Sequence, residues 1–432
     1  MIPTSQRKAI AELLRREVVP AIGCTEPMAV ALCAARACEL LGTTPERIEV
    51  LLSANILKNA MGVGIPGTGM IGLPIAVALG ALIGRSDYGL EVLRDVTPEA
   101  VARARDFLAA DGVSVALKQG IAETLYAEVR CMAGGRVAEA VIAGAHTRFV
   151  YLACDGAVVL DRRAGASSDT GQEEVPLTLR RVFDYAATTP LDELRFIGEA
   201  RRLNMAAAEM ALGGRYGHSL GRTLRGRREL HVMGDSLFSR MLAYTSAACD
   251  ARMAGAMVPV MSNSGSGNQG IAATVPVAVY AEQTGASEER TLRALVLSHL
   301  TAIYIKQSLG RLSALCGCVV AATGSSCGIA YLMGGGYREV SYAVQNMIAN
   351  LTGMICDGAK PSCALKVSSG VSTAVMSALL AVEGTCVTSA EGIIDDDVDR
   401  SIRNLTAIGR EGMAATDRLV LDIMTHKKHS GC

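Results

Sequence analysis

Aromatic residues are scarce in this 432-residue chain, which contains no tryptophan and only five phenylalanines. Membrane proteins usually carry tryptophan and tyrosine at both membrane interfaces, and little is available here for that purpose. Half of the residues are nonetheless hydrophobic, and three stretches without charge, 59–84, 253–280 and 312–337, are long enough to cross a bilayer. Glycine, proline, asparagine, glutamine or clustered serine interrupts each of them. We therefore expect buried helices and loops that line a site, and no association with a membrane.

The chain also lacks net charge, since 42 lysines and arginines balance 42 aspartates and glutamates. No overall field attracts nucleic acid, and nucleic-acid binding is not expected. The first residues form a charged amphipathic pattern without the apolar run and cleavage site of a secretion signal. We therefore expect a cytoplasmic protein. In that compartment the 13 cysteines stay reduced, which favours metal ligation or thiol chemistry over disulfides.

Two kinds of pattern alternate along the chain. Helical periodicity with glycine-rich turns extends to about residue 85, and short alternating runs then follow one charged helix. Two of these runs are separated by Gly134-Gly135, which is typical of a β-hairpin. Helical patterns resume after residue 174. We predict an α+β protein, with a mainly helical catalytic domain formed by residues 1–86 and 163–432 and a small inserted α/β domain at 87–162.

The segment from Gly67 to Gly72 matches the glycine-rich fingerprint of dinucleotide-binding proteins, and Asp87 follows at a suitable distance. That fingerprint must directly follow a β-strand. Here Pro66 and the amide-rich run ANILKNAMG come before it, and a helical pattern follows. We therefore predict a tight turn with close backbone packing, and no nucleotide site.

The run from Ser262 to Gly270, SNSGSGNQG, consists of small and amide residues between two apolar stretches. Its backbone N–H groups and neutral side chains could hold a carboxylate, particularly if a helix starts at Gly270. The alternative is a flexible surface linker, because serine and glycine confer flexibility. The apolar flanks favour a buried site.

Five of the 13 cysteines, Cys316, Cys318, Cys327, Cys356 and Cys363, lie within 48 residues in the second half of the chain. The Cys-x6-Cys loop ending at Cys363 can turn two sulfur atoms inward, and a third can come from a distant helix end, as an iron–sulfur cluster requires. Structural zinc is disfavoured, because this spacing is long and no CxxC knuckle or histidine pair is nearby. The alternative is a set of buried cysteines without ligand function.

The motif Gly23-Cys24-Thr25-Glu26-Pro27 stands in a turn before a helical pattern, with proline at a suitable first helical position. Thr25 or Glu26 could simply cap that helix. A thiol at a helix N-terminus would have a lowered pKa, so Cys24 could act as a thiolate base or as a sulfur acceptor.

The motifs GCTEP, GIPGTG, SNSGSGNQG, MICDG and PSCALK together resemble the L-cysteine desulfidase family, a relative of the α-chain domain of bacterial iron–sulfur L-serine dehydratases. The resemblance extends along nearly the whole chain. It implies a [4Fe–4S] cluster held by Cys316, Cys356 and Cys363, with Cys318 as the competitor for the first position. It also implies conversion of L-cysteine to hydrogen sulfide, ammonia and pyruvate by a carbon–sulfur lyase that uses no pyridoxal phosphate.

In this interpretation Cys24 is the first candidate for the catalytic base and Glu26 the second. The expected partner is a small amino acid, and self-association into a homo-oligomer is left open. Cys432 could reach back to the vacant iron of the cluster, or be an exposed thiol. The predicted substrate-binding residues are Asn55, Asn59, Ser264, Ser266, Asn268 and Gln269.

Three alternatives to this function stay open. The same cluster could act on L-serine or on another β-substituted amino acid. The glycine-rich interruptions could be the broken helices of a membrane transporter. The chain could also be a non-catalytic amino-acid sensor whose cysteines are merely buried.

Overall fold

A computed structural model describes residues 2–121, 123–163, 175–310 and 313–426 of the chain. Within these ranges the protein combines a six-stranded sheet with a large set of helices, so the predicted α+β class is confirmed. Cys432 lies outside the described residues.

The main sheet has the strand order β3-β2-β4-β5-β6-β7, in which β2 and β3 are parallel and the other neighbours are antiparallel. A separate pair is formed by β1 and β8. The strands are β1 (Pro20–Ala21), β2 (Arg47–Leu52), β3 (Val113–Leu117), β4 (Tyr126–Ala133), β5 (Arg136–Ala143), β6 (Phe149–Cys154), β7 (Ala157–Asp161) and β8 (Val260–Met261).

Helices make up most of the rest of the described chain, with short 3₁₀ turns between some of them. The α-helices are α1 (Thr4–Glu17), α2 (Thr25–Leu41), α3 (Ala54–Ala60), α4 (Leu73–Ile83), α5 (Pro98–Ala109), α6 (Leu179–Thr188), α7 (Leu191–Leu194), α8 (Gly198–Gly213), α9 (Leu220–Thr223), α10 (Arg227–Met233), α11 (Leu237–Met253), α12 (Gly267–Gln283), α13 (Glu288–Leu309), α14 (Gly317–Leu332), α15 (Tyr337–Leu351), α16 (Cys363–Val382), α17 (Val398–Ala407) and α18 (Ala414–His426).

Strand β2 was missed by the sequence analysis, which assigned only helices and turns before residue 85. Its side chains alternate between buried and less buried, the period-2 pattern of a strand with one face on a core. It lies inside the sheet, between β3 and β4. The sheet is therefore not confined to residues 87–162, and the proposed domain division stays a prediction.

The predicted hairpin is confirmed. Strands β4 and β5 pair up to Ala133 and Arg136, so Gly134 and Gly135 form a two-residue turn. Both glycines have positive φ, 56° and 79°, which is the conformation that this type of turn requires.

The fingerprint-like segment is a turn, as predicted. Gly67, Gly69 and Gly72 all have positive φ, and the preceding regular element is helix α3 rather than a strand. A dinucleotide fold places its glycine-rich turn directly after a strand, so this context argues against nucleotide binding.

Helix α14 is the centre of the helical part and packs against α12, α13, α15 and α16. Small residues permit these close approaches. For example, a Cβ added to Gly324 of α14 would overlap the carbonyl oxygen of Ser298 on α13. Helix α2 packs against α4 and against strands β4 and β5, and so joins the helices to the sheet.

By length and composition, one helix of the described chain, α16, is long and apolar enough to cross a bilayer, and half of its apolar window is buried. None of the three charge-free stretches forms such a helix in the described ranges. A buried core helix passes the same test, and α16 packs against α11, α14 and α15.

Candidate active site where four helices begin

Four helices begin at the same cavity. The N-cap position is occupied by Cys24 in α2, by Ser266 in α12 and by Cys316 in α14, while Cys363 is the first residue of α16. All four of these residues line the cavity. Because the N-terminus of a helix carries unpaired N–H groups and a partial positive charge, this convergence favours thiolates and anionic ligands.

The thiols predicted as ligands meet here. Cys316, Cys356 and Cys363 line the cavity together with Cys318. An isolated antiparallel bridge pairs Leu315 with Ile355. On either side of it, the Cys316 N–H donates to the Met354 carbonyl at 3.0 Å and the Cys356 N–H to the Ala314 carbonyl at 2.6 Å.

This bridge fixes the relation of two of the thiols. In an antiparallel pair, Cys316 and Cys356 are diagonal neighbours on one face, so their side chains point to the same side. The loop from Cys356 to Cys363 is held by Gly358, which has φ of +89° and packs against the carbonyl oxygen of Lys58 on α3. A larger residue at that position would push the loop away from α3.

The two neighbouring thiols on α14 differ in character. A hydrogen bond from Cys318 lowers the pKa of the Cys316 thiol, which favours its thiolate form despite burial. The same hydrogen bond and the burial of Cys318 raise the pKa of the Cys318 thiol. Cys316 is thus the better anionic ligand of the two, and Cys318 the better hydrogen-bond donor.

Two other buried cysteines, Cys327 and Cys249, are not among the residues that line the cavity. Cys327 lies within α14, where its thiol donates to the Thr323 carbonyl. Cys249 on α11, which the sequence analysis did not single out, is fully buried, and its thiol pKa is raised by burial and by the nearby Cys363. Nothing in its sequence neighbourhood marks it, because its proximity to Cys363 arises only from the packing of α11 on α16.

The expected chemistry of Cys24 is corrected. Cys24 lies at the N-terminus of α2 as predicted, in the N-cap position but without a side-chain capping hydrogen bond. Burial and the neighbouring Glu26 carboxylate raise the pKa of its thiol instead of lowering it. The Cys24 thiol donates a 2.9 Å hydrogen bond to Glu26 Oε2. Desolvation thus outweighs the helix N-terminus and favours the protonated thiol, while the catalytic role of Cys24 stays a prediction.

Glu26 is the ionised member of this pair. Burial alone would raise the pKa of its carboxyl group, but the charge of His146 and the hydrogen bond from Cys24 outweigh burial and lower that pKa. Its Oε2 also accepts from Thr25, whereas Oε1 accepts a longer 3.3 Å bond from Asn59 Nδ2. His146 stands between β5 and β6, so a loop of the sheet reaches the catalytic carboxylate candidate.

Four of the six predicted substrate-binding residues, Asn59, Ser266, Asn268 and Gln269, line the cavity. Asn55 and Ser264 are not among the lining residues. Asn55 Oδ1 is buried without a hydrogen-bond partner, and the Ser264 hydroxyl donates to Asn263 Oδ1 at 2.9 Å. Ser264 therefore shapes the loop instead of facing the cavity.

The SNSGSGNQG segment is a buried, fixed loop, so the surface-linker alternative is wrong. Its helix begins at Gly267 and not at Gly270; Gly270 is already inside the first turn, packed against the carbonyl oxygen of Met261. Asn263 anchors the loop by donating to the ring Nδ1 and the carbonyl oxygen of His299. Burial lowers the pKa of His299 to about 3, so this anchor stays neutral.

Two buried cations of the cavity were missed by the sequence analysis. Arg252, in the last turn of α11, is 3% exposed, and Lys306 on α13 is 7% exposed. The only sequence signal is a charged residue within an apolar, alanine-rich helical pattern. That signal is weak, because such a residue can equally lie on a solvated face.

The family model of the serine dehydratase alpha chain matches residues 87–422, so the chain belongs to that family and is an enzyme of the serine dehydratase type. Enzymes of this type are lyases. A UPF0597 protein of Bacteroides thetaiotaomicron is 68% identical over 428 residues, 99% of each chain. A UPF0597 protein of Porphyromonas gingivalis is 57% identical over 431 residues, 98% of this chain and 100% of the relative. A third, from Oleidesulfovibrio alaskensis, is 50% identical over 418 residues, 96% and 97% of the two chains.

The serine dehydratase alpha chain family is associated with an iron–sulfur cluster. The cysteine thiols of the cavity are the candidate ligands for such a cluster. Among the residues that the structure describes, no three histidine, cysteine, aspartate or glutamate side chains are placed to hold a single metal ion. In a cluster, however, each thiolate binds a different iron, so the thiols need not converge on one point. Besides Cys24, four cysteines line the cavity, and these soft donors fit a cluster better than a lone ion.

Proposed function

We propose that the protein is an iron–sulfur-dependent lyase that eliminates the β-substituent of a small α-amino acid. L-cysteine is the first candidate substrate, giving hydrogen sulfide, ammonia and pyruvate. The observation that carries this proposal is the presence of five cysteine thiols and the ionised Glu26 carboxylate in one cavity at four helix N-termini.

Cys316, Cys356 and Cys363 are the proposed cluster ligands. The bridge between Leu315 and Ile355 orients the first two, and the start of α16 supplies the third. When bound, the cluster supplies a Lewis acid that weakens the bond to the leaving group without pyridoxal phosphate. Cys318 is assigned a hydrogen bond to Cys316 instead of the ligand role.

Glu26 is the proposed base that removes the α-proton, with Cys24 as the second candidate. Its Oε1 is the freer of the two carboxylate oxygens, because Oε2 already accepts from Cys24 and Thr25. As the Cα–H bond breaks, its electron pair forms the Cα–Cβ double bond and the β-thiol leaves. The product, aminoacrylate, then reacts with water to give pyruvate and ammonia.

L-serine is the second candidate substrate, and the family supports it. The two substrates differ only in the leaving atom, sulfur or oxygen, and both present the same carboxylate and ammonium to the cavity. The resemblance of the five sequence motifs favours L-cysteine. A cytoplasmic location fits both, because ligand thiols need a reducing compartment.

The test is anaerobic purification followed by quantitation of iron and sulfide, together with assays for sulfide released from L-cysteine and pyruvate from L-serine. We expect an iron-loaded protein with the broad visible absorption of a cluster. Colourless, iron-free, folded protein that converts neither amino acid would overturn the proposal and favour a non-catalytic sensor. Conversion of L-serine alone would assign the dehydratase activity.

Variants test the ligands individually. Cys316→Ala, Cys356→Ala and Cys363→Ala should each abolish iron loading, whereas Cys327→Ala, within α14 and not among the cavity-lining residues, is the matched control and should retain it. Cys318→Ala should retain iron. Loss of iron in Cys318→Ala together with its retention in Cys316→Ala would reverse the two assignments.

A further inference from the structure

Arg252 is a buried cation with incomplete hydrogen bonding. Only 3% of it is exposed, and it lines the cavity. Its Nη1 donates to Asn268 Oδ1 at 3.0 Å, while its Nε is buried and has no hydrogen-bond partner among the residues that the structure describes. Leaving a charged donor buried and unpaired costs free energy, and native proteins rarely retain such a group without a ligand or a function.

The chain makes room for this guanidinium at the start of α12. A Cβ added to Gly267 would overlap Arg252 Nε, so only glycine lets the side chain lie against the first turn of that helix. There the unpaired N–H groups of α12 and the guanidinium present positive charge to the same space. An arginine at a helix N-terminus is well suited to a carboxylate.

Gln269 supplies a hydrogen-bond acceptor, whereas Arg252 supplies donors. It is 4% exposed, and its Oε1 is buried with no hydrogen-bond partner in the described part of the chain. Its side-chain amide lies against the start of α14, where a Cβ added to Gly317 would be 3.0 Å from Gln269 Cδ. An amide oxygen accepts hydrogen bonds and cannot donate them, so this position suits an N–H group of a ligand.

We propose that Arg252 binds the carboxylate and Gln269 Oε1 the ammonium group of a free α-amino acid in this cavity. The inference rests on the proposed function and deepens it by naming the residues that hold the two charged groups of the substrate. Asn268 is a positioning residue, because it holds the guanidinium through Nη1. Esters, amides and N-acylated amino acids lack one of the two charges and are excluded as substrates.

The test uses L-alanine, which has both charged groups and no leaving group, so its binding does not depend on turnover. Binding to anaerobically purified protein is measured by calorimetry. We expect Arg252→Gln to weaken L-alanine binding by about tenfold or more, as for the loss of a charge-assisted hydrogen bond, and Arg252→Lys to weaken it less. Arg240→Gln is the matched control, since Arg240 stands on the same helix and pairs with Asp235.

Modified ligands separate the two contacts. L-alanine methyl ester should bind the wild-type protein about tenfold or more weakly than L-alanine, but should bind Arg252→Gln about as well as L-alanine does. N-acetyl-L-alanine should bind the wild-type protein about tenfold or more weakly than L-alanine, but should bind Gln269→Leu about as well as L-alanine does. Equal melting temperatures and iron contents of wild type and variants would show that the fold and the thiol ligands are intact.

Each outcome decides the proposal. Wild-type protein that does not bind L-alanine, or an Arg252→Gln variant with unchanged affinity, overturns it. Lost binding in Arg252→Gln supports it even if neither L-cysteine nor L-serine is converted, in which case the proposed function alone fails.

Discussion

At the scale of single residues, neighbouring charges and hydrogen bonds decide which group of the buried Cys24–Glu26 pair carries charge. Both are buried beside each other, yet the carboxylate has a lowered pKa and the thiol a raised one. The carboxylate gains a hydrogen bond from the thiol and the charge of His146, whereas the thiolate would face a like charge. The local sequence alone favoured Cys24 as the base.

The assignment of Glu26 predicts the pH dependence of the reaction. Because its pKa is lowered, Glu26 is ionised at all pH values above its ordinary pKa of about 4.3, and the base is lost only as the pH falls through the lowered value. We expect no acidic limb from Glu26 in kcat/KM near neutral pH. Glu26→Gln should reduce kcat about 10²- to 10⁴-fold.

Cys24→Ser is the control for this prediction, because a hydroxyl can replace the thiol as donor to Glu26 Oε2. We expect it to retain most of the activity. A Glu26→Gln enzyme with nearly full kcat, together with an inactive Cys24→Ser enzyme, would make the thiol the base instead.

His146 provides a second prediction at this scale. It lowers the pKa of Glu26 from a loop of the sheet, so His146→Gln should raise that pKa and move the acidic limb of kcat/KM to higher pH. The exposed neighbour Thr147 offers a control, since Thr147→Ala leaves the charge in place. Identical pH profiles for wild type and His146→Gln would contradict the assigned interaction.

At the scale of structural elements, the loop between Cys356 and Cys363 depends on one glycine. Gly358 combines positive φ with contact to the Lys58 carbonyl oxygen, so Gly358→Ala adds both backbone strain and overlap. We expect a loss of about 2 kcal/mol in the free energy of unfolding and reduced iron content. Thermal unfolding and iron quantitation measure the two effects.

Gly353→Ala is the matched control for this loop. Gly353 precedes the same cysteine, has no positive φ, and has no atom within 4 Å of an added Cβ. It should be close to wild type in melting temperature and iron content. If both alanine variants behaved alike, the contact with Lys58 would not be what positions the loop.

Much of the element structure could be predicted from local sequence. The Gly134-Gly135 hairpin and the start of α2 within GCTEP follow from backbone preferences that a few residues carry. The start of α12 was predicted three residues late, because Gly267 and Gly270 are both compatible with a first turn. Strand β2 was missed, since RIEVLL is short and only its partners β3 and β4 favour a strand over a helix.

The site was predicted in part for the same physical reason. Cysteines and the amide-rich loop are unusual residue types whose clustering can be read from the sequence, and most of them line the cavity. Arg252, Lys306, Cys249 and His146 come from ordinary helices and a loop. Their positions depend on how those elements pack, which no local pattern records.

At the scale of the whole molecule, an ion pair joins helix α3 to α18, the last helix of the described chain. Lys58 on α3, 2% exposed, contacts Asp417 on α18. Lys58→Met should cost about 2 kcal/mol of unfolding free energy, less than for a fully buried pair because Asp417 is partly exposed. Chemical denaturation measures this, and limited proteolysis should show earlier cleavage near α18.

The double variant Lys58→Met/Asp417→Leu separates the ion pair from packing. Removal of both charges leaves no unpaired group, so we expect it to recover at least half of the lost stability. A double variant that is less stable than Lys58→Met would mean that Asp417 has another favourable partner.

The cavity draws on side chains from residue 24 to residue 363, and this spread has a consequence for biosynthesis. Domains usually form as the polypeptide leaves the ribosome, starting from the N-terminus. Here Cys24 and Glu26 are translated early, but their surroundings in the cavity are complete only after α16 has been translated. Any occupant of the cavity is therefore acquired by a nearly finished polypeptide, and nascent chains arrested before Cys363 should lack the site entirely.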